Sequence, residues 1–382
     1  MKFEFSEDQE LLRDQARKFL QDKCAGAVVR GVLESDQTHD DGLWREIAEM
    51  GWTGVVIPEE HGGLGLGYLE LCVIAEELGR ALAPVPFSSS IYFAAEALMQ
   101  DGSSAQKAAW LPKLASGEVV GALALAEGPG ATPFSKTKTK AQSSGNGQFR
   151  ISGVKGPVLD GMAADIAIVP ALGEDGFGLY LVALDQNGVE RAVEPSLDES
   201  RPQARIAFDN AVAEKIGDSG EASLRYLLNK AAVLFAFEQL GGADACLQMG
   251  VAYAKERFAF GRPIGSFQAI KHRLADMYAE LELARSNCFY AAWALSTDDV
   301  SLAEAAAVAR ISISAAYFTC AKENIQVHGG IGFTWDLDAH LYYRREKLLS
   351  SVIGGQRRWR EYLVQALENK EMTAADENAR VA

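Results

Sequence analysis

Glu238 is the residue whose type and setting most plainly suggest chemistry. It follows seven consecutive apolar residues, 231–237, in a stretch of helical period where another apolar side chain would be expected. Burial disfavours an ionised carboxylate, so its pKa should rise toward the working range of a general base. The alternative is a carboxylate paired to a buried Arg or Lys between subunits, structural and inert. Gly241 and Gly242 follow within a turn, and they allow another backbone or a ligand to come close.

Other residues suggest less on their own. The helical run after Gly242 ends in Arg257-Phe-Ala-Phe260-Gly261-Arg-Pro, where Arg257 can be read as a helix C-terminal cation. Downstream lies Gln326-Val-His-Gly329-Gly330-Ile-Gly332-Phe333, whose glycine pair can be read as a helix stop. His328 and His340 are not spaced for a metal, and no carboxylate pattern completes such a site. Arg344, Arg345, Arg357, Arg358 and Arg360 form either a solvated or subunit-contact face or a phosphate or partner contact. Asp198 and Arg201 read as a local turn pair. Glu59-Glu60-His61-Gly62-Gly63-Leu-Gly65-Leu-Gly67 lacks the strand–loop–helix context of a dinucleotide loop and reads as a structural turn.

Composition narrows the class of function. With 382 residues, 48% hydrophobic, the chain can bury two or three cores. A formal charge of −15 argues against nucleic acid or an anionic membrane as general partner. No apolar run reaches the roughly eighteen residues that a membrane-spanning helix requires. The acidic, amphipathic start matches neither a secretory nor a transit leader. Five cysteines at unrelated spacings read as small buried hydrophobes in a reducing cytoplasm.

The elements that must hold these residues follow from hydrophobic period. Residues 1–117 read as helical, with Ser6-x-x-Gln9 as a capping box before Leu11, Leu12, Ala16, Phe19 and Leu20. Residues 118–221 alternate in short runs broken by turn residues at 145–147, 174–176 and 186–188, which predicts an antiparallel β domain of hairpins. Helical period returns over 222–382. Ile270, Leu274, Met277, Leu281, Ala284 and Cys288 trace a bundle seam, and Ser301-x-x-Glu304 reads as a cap. The class is α+β: an N-terminal helical domain, a middle antiparallel β domain and a C-terminal four-helix bundle.

That order, together with RFAFGRPIGSFQAIKHRLADM, QVHGGIGFTWDLDAHLYYRR and the N-terminal EEHGGLGLG, resembles the acyl-CoA dehydrogenase family over nearly the whole chain. The resemblance implies an FAD enzyme that removes the α and β hydrogens of an acyl-CoA thioester. The product is a trans-2-enoyl-CoA, and the electrons pass to an electron-transferring flavoprotein. By resemblance, Arg257, Phe260, Gln326, Gly329 and Gly330 reach the FAD of a neighbouring subunit, and Gln268 is a further flavin contact. A pyrophosphate needs cations and backbone N–H groups of this kind.

Departures from the family pattern bear on the role of the chain. Ile353 stands where the commonest family base would be; its side chain takes no proton, although its backbone N–H can still polarise a thioester carbonyl. Ala231 and Ala232 occupy a second known base placement. Glu238 is then the candidate base, resembling a bacterial branch acting on bulky or steroid side-chain thioesters. In the β domain, residues 126–132, which include Glu127, resemble the flavin-cradling segment loosely. Pro157-Val158-Leu159 stands where the family's Trp-Ile-Thr meets the ring. Elements that reach a neighbour's FAD are kept, and those that hold the chain's own are weakened. The expectation is therefore an acyl-CoA dehydrogenase with Glu238 as base, in a homotetramer or in a heterotetramer with a paralogous subunit. Two alternatives are a non-catalytic subunit of such a pair and a flavin monooxygenase on the same fold.

Overall fold

The structure is a computed structural model. It describes residues 5–128, 134–145 and 147–381, without the side chains of Ser135 and of 369–381. Asn146 of the expected 145–147 turn and positions 129–132 of the cradle-like stretch lie outside the described residues. The chain forms two compact units. One comprises Leu11–Ile74 and Ala81–Ala231; the other comprises Met1–Glu10, Ala75–Arg80 and Ala232–Ala382.

The first of these units carries helices α1 (Glu7–Lys23, from Leu11 on), α2 (Gly26–Leu33) and α3 (Asp41–Glu49), and the first half of α4 (Tyr68–Arg80). A π-helix over Ser88–Ala95 runs directly into α5 (Glu96–Asp101), and α6 (Ser104–Ala115) follows. The Ser6–Gln9 capping box forms, with reciprocal contacts of 2.9 and 3.3 Å. The glycine-rich stretch at 62–67 is a turn. Gly62 and Gly65 take positive φ, and a Cβ on Gly63 would strike the Ile57 carbonyl.

Strands β1 (Gly121–Leu123), β2 (Lys140–Gly145), β3 (Gln148–Leu159), β4 (Ile166–Gly173), β5 (Gly176–Ala183), β6 (Val189–Glu194) and β7 (Gln203–Lys215) form one sheet. Its order is β1-β4-β2-β3-β7-β5, with β6 on β7 and β5 returning to β4, so the pairing closes on itself. Two features depart from a string of hairpins. β1 and β2 run parallel to β4. β5 and β6 flank the 186–188 turn, yet β6 pairs with β7. Thirteen residues of β7 give room for β3, β5 and β6 along one strand.

The second unit is helical: the greater part of α7 (Glu221–Glu256), then α8 (Gln268–Ser296), α9 (Leu302–His328), α10 (Ala339–Ser351) and α11 (Gln356–Val381). On the α8 seam, Met277, Leu281, Ala284 and Cys288 are buried. Between α7 and α8 a small hairpin pairs β8 (Phe258–Ala259) with β9 (Arg262–Pro263). The expected Ser301 cap does not form. Asp299 accepts the Ser301 hydroxyl at 2.7 Å, and Ser301 already has helical dihedrals. Competition from a nearby carboxylate of this kind is what turns Ser away from capping.

Candidate functional site

Glu238 is buried, with 3% exposure, on the part of α7 inside the helical unit. Its carboxylate stands 3.9 Å from Arg345, whose side chain is 1% exposed. Arg310, also fully buried, feels the charges of Glu238 and Glu346. Burial lowers the Arg310 pKa to about 10, and these carboxylates and Cys288 oppose that shift. Arg310 donates to Gln239 Oε1 and, at 2.6 Å, to the Leu349 carbonyl. Burial raises the Glu346 carboxyl above its ordinary value, against the pull of Lys347 2.9 Å away.

The glycines beside Glu238 admit protein rather than open space. A Cβ on Gly241 would strike the Glu76 carbonyl, one on Gly79 would strike the Glu238 carbonyl, and one on Gly242 would strike the Tyr317 ring. The last turns of α4 therefore cross α7 with the two backbones in contact. A second, half-buried ionic group braces this crossing. Arg80 reaches Asp244 at 2.6 Å and Glu77 at 3.1 Å, and Arg285 reaches Glu76 at 3.4 Å and Asp244 at 3.3 Å.

The flavin-reaching residues expected from the sequence gather at one end of the helical unit. Tyr253 near the end of α7 stacks on His328 at the end of α9, with ring centroids 4.2 Å apart. That contact joins the end of α7, which leads into the hairpin carrying Arg257, to the end of α9, which leads into the loop carrying Gly329. Phe260 and Gly261 both take positive φ at the hairpin tip, as a two-residue turn requires. Phe260 is 96% exposed there. Arg257, Gln268, Gln326, Gly329 and Gly330 are exposed, and among the described residues none pairs with the Arg257 guanidinium. A Cβ on Gly329 or Gly330 would meet nothing within 4 Å, and Gly329 has φ +64°. An exposed cation beside an open glycine loop suits the phosphates of a dinucleotide.

The β-domain candidates are turned inward. Val158 and Leu159 are buried. Glu127 spends its carboxylate inside the chain, accepting from Lys155 (2.9 Å), the Thr139 hydroxyl (2.6 Å) and the backbone N–H groups of Lys138 (2.7 Å) and Thr139 (3.0 Å). Burial alone would raise its pKa, but these donors outweigh burial and bring it down to about 2. Of the remaining expectations, Ile353 is buried just beyond α10. Arg201 and Asp198 form the expected local turn, the Arg201 backbone N–H donating to the Asp198 carbonyl at 3.3 Å, and the Arg201 guanidinium also binds Asp160 (3.0 and 2.5 Å). Within the arginine cluster only Arg345 is interior, whereas Arg357 pairs with Glu361 at 3.0 Å on the surface. The sequence reading missed Arg310 and Arg345 as interior cations. The signal was available for Arg310, a lone charge in the otherwise apolar or small run 305–316, in the same way that Glu238 is.

Residues 6–118 match the acyl-CoA dehydrogenase N-terminal domain, and residues 218–363 match the acyl-CoA dehydrogenase C-terminal domain. The chain belongs to the acyl-CoA dehydrogenase family. It is thus a member of an oxidoreductase family whose members bind FAD. It is 33% identical over 344 residues to acyl-CoA dehydrogenase IpdE2 of Mycobacterium tuberculosis, covering 89% of this chain and 91% of that one. Among solved structures it resembles a variant of the Tcur3481-Tcur3483 steroid ACAD (TM-score 0.87, 33% identity, 96% of this chain and 99% of that one). It also resembles the ChsE4-ChsE5 complex from Mycobacterium tuberculosis (TM-score 0.89, 28% identity, 96% and 99%). No helix among the described residues is long and apolar enough to cross a membrane.

Proposed function

We propose that this chain is one subunit of a cytoplasmic, heteromeric, FAD-dependent acyl-CoA dehydrogenase. The assembly takes the α and β hydrogens from a bulky CoA thioester, of the steroid side-chain class, and leaves the trans-2-enoyl-CoA. Its electrons go to an electron-transferring flavoprotein. The α-proton base comes from a paralogous subunit. The observation that carries this reading is the sealing of Glu238, which is 3% exposed in the single chain and faces Arg345 across 3.9 Å. A base must reach a substrate carbon, and this carboxylate is closed over by its own helices. The two-component names of the related ChsE4-ChsE5 and Tcur3481-Tcur3483 structures support the heteromeric part.

A flavin held there would supply the redox chemistry, as the acceptor of the β hydride. This chain contributes charge and shape. Arg257 would neutralise phosphate, Gly329 and Gly330 would present backbone N–H groups, and Phe260, Gln268 and Gln326 would line the remaining contact. Ile353 would offer its backbone N–H to the thioester carbonyl. Glu127, Val158 and Leu159 would support the flavin-side segment from behind, through packing and hydrogen bonds, since their side chains are engaged inside the chain.

Purifying the chain alone and with a co-expressed paralogue, and reading flavin absorbance per protein, tests the reading. A colourless chain that turns yellow with its partner is expected. One FAD per subunit on the isolated chain, bleached anaerobically by an acyl-CoA, would overturn it.

A second reading keeps Glu238 as the base. The apolar residues 231–237 that precede it on α7 are all buried, the setting in which a carboxylate can serve as a general base. Loss of acyl-CoA bleaching in Glu238→Gln, with FAD retained, would favour it.

A further inference from the structure

The buried segment Ser88–Ala95 is wound as a π-helix over eight residues, all of them out of solvent. Wide i→i+5 turns are rare beyond a single turn and persist where surrounding contacts over-determine them. Nothing local recommends the segment as a helix: Ser-Ser-Ser competes with its own backbone for hydrogen bonds, and Ile91, Tyr92 and Phe93 lose side-chain freedom in helical turns.

Both ends are held from outside. At the start, Arg201 donates to Ser88 Oγ at 2.8 Å, and the Ser89 hydroxyl donates to Asp160 at 2.7 Å. Asp160 also takes both contacts from Arg201, and the Gly121 N–H donates to Ser90 Oγ at 3.1 Å. At the finish, Glu96 accepts from Lys230 at 2.5 Å and from the Tyr68 hydroxyl at 2.9 Å. In the middle, strand β1 presses so close that a Cβ on Gly121 would strike Ala94.

We propose that residues 88–96 are a two-register element. The Arg201–Asp160 group and the Lys230–Glu96 pair clamp it in the π register, and the α register is its alternative. Between two fixed ends the chain has more residues than an α path can take, so it winds wide. Slipping to the α register turns Glu96 by about 100° around the helix axis, away from Lys230. The element thereby couples the turn after β3, where Asp160 follows Leu159, to the first part of α7, where Lys230 precedes Ala231. This inference concerns the fold of one unit and stands apart from the proposed subunit role.

Amide hydrogen exchange on the purified full chain, with its partner if one is needed, tests it. In Lys230→Met, exchange across 88–96 should rise at least about tenfold while α6 keeps its protection, because release of one clamp opens the whole segment as a unit. A rise confined to Glu96, or none, would overturn the proposal. Deleting Ala94 removes the surplus residue. That variant should melt cooperatively near the parent temperature and exchange more slowly over 88–96. A variant that loses its cooperative transition would also overturn the proposal.

Discussion

Gly79 meets Glu238 backbone to backbone: any side chain at position 79 would collide with the Glu238 carbonyl. The reciprocal contact is Gly241 against the Glu76 carbonyl. Glycine in mid-helix costs about 0.5–1 kcal/mol against alanine, so the crossing must return more than that. Gly79→Ala or Gly241→Ala should therefore destabilise by roughly 2–4 kcal/mol through overpacking against an unyielding backbone. Urea denaturation of each variant measures this, and a cost below that of an ordinary surface substitution would contradict the close approach.

Glu238→Gln separates structure from catalysis. Removing one partner of a buried ion pair costs about 3–5 kcal/mol, because the other charge stays buried. Glu238→Leu with Arg345→Met should regain most of that loss. In the holoenzyme the single variant should keep its rate of flavin reduction by acyl-CoA within a few-fold, read by stopped-flow absorbance. A fall of about 10²-fold or more with the flavin retained would point to a proton-transfer role.

Glu127 sets an acid limit. Its folded pKa of about 2 lies below the ordinary value of 4.5. Its contribution is therefore present above the unfolded value and is lost as pH falls through the folded one. Stability should decline between about pH 4.5 and 2, by at most about 3 kcal/mol from this group. Glu127→Gln should flatten that part of the profile while lowering stability at neutral pH. An unchanged acid slope would mean that the four hydrogen bonds to Glu127 do not govern it.

The exposed edge should matter for cofactor and little for folding. Arg257 is exposed, and none of the described residues pairs with its guanidinium. Arg257→Ala should leave the melting temperature within a degree or two and lower flavin occupancy of the assembly about tenfold or more. Gly329→Ala should combine a stability loss of about 1–3 kcal/mol, from a backbone conformation (φ +64°, ψ −139°) that only glycine enters readily, with reduced flavin content. Equal flavin occupancy in both variants would remove this edge from the cofactor contact.

Element types and their order were legible from residues because they are written locally. The 3.6-residue seam of α8, the Ser6–Gln9 box and the turn residues at 174–176 each act within a few positions of chain. The sequence also marked Glu238 as anomalous, since one acid after seven apolar neighbours stands out on inspection. What surrounds that acid was decided only in three dimensions. Arg345 lies 107 positions away and looked like part of a surface cluster, yet it is interior and faces Glu238. Arg201 reaches across to Asp160 as well as turning on nearby Asp198, and β6 passes over β5 for β7. Periodicity reports which face of an element is buried. Which charge meets which, and whether a glycine admits a ligand or another helix, depends on long-range packing that no local pattern encodes.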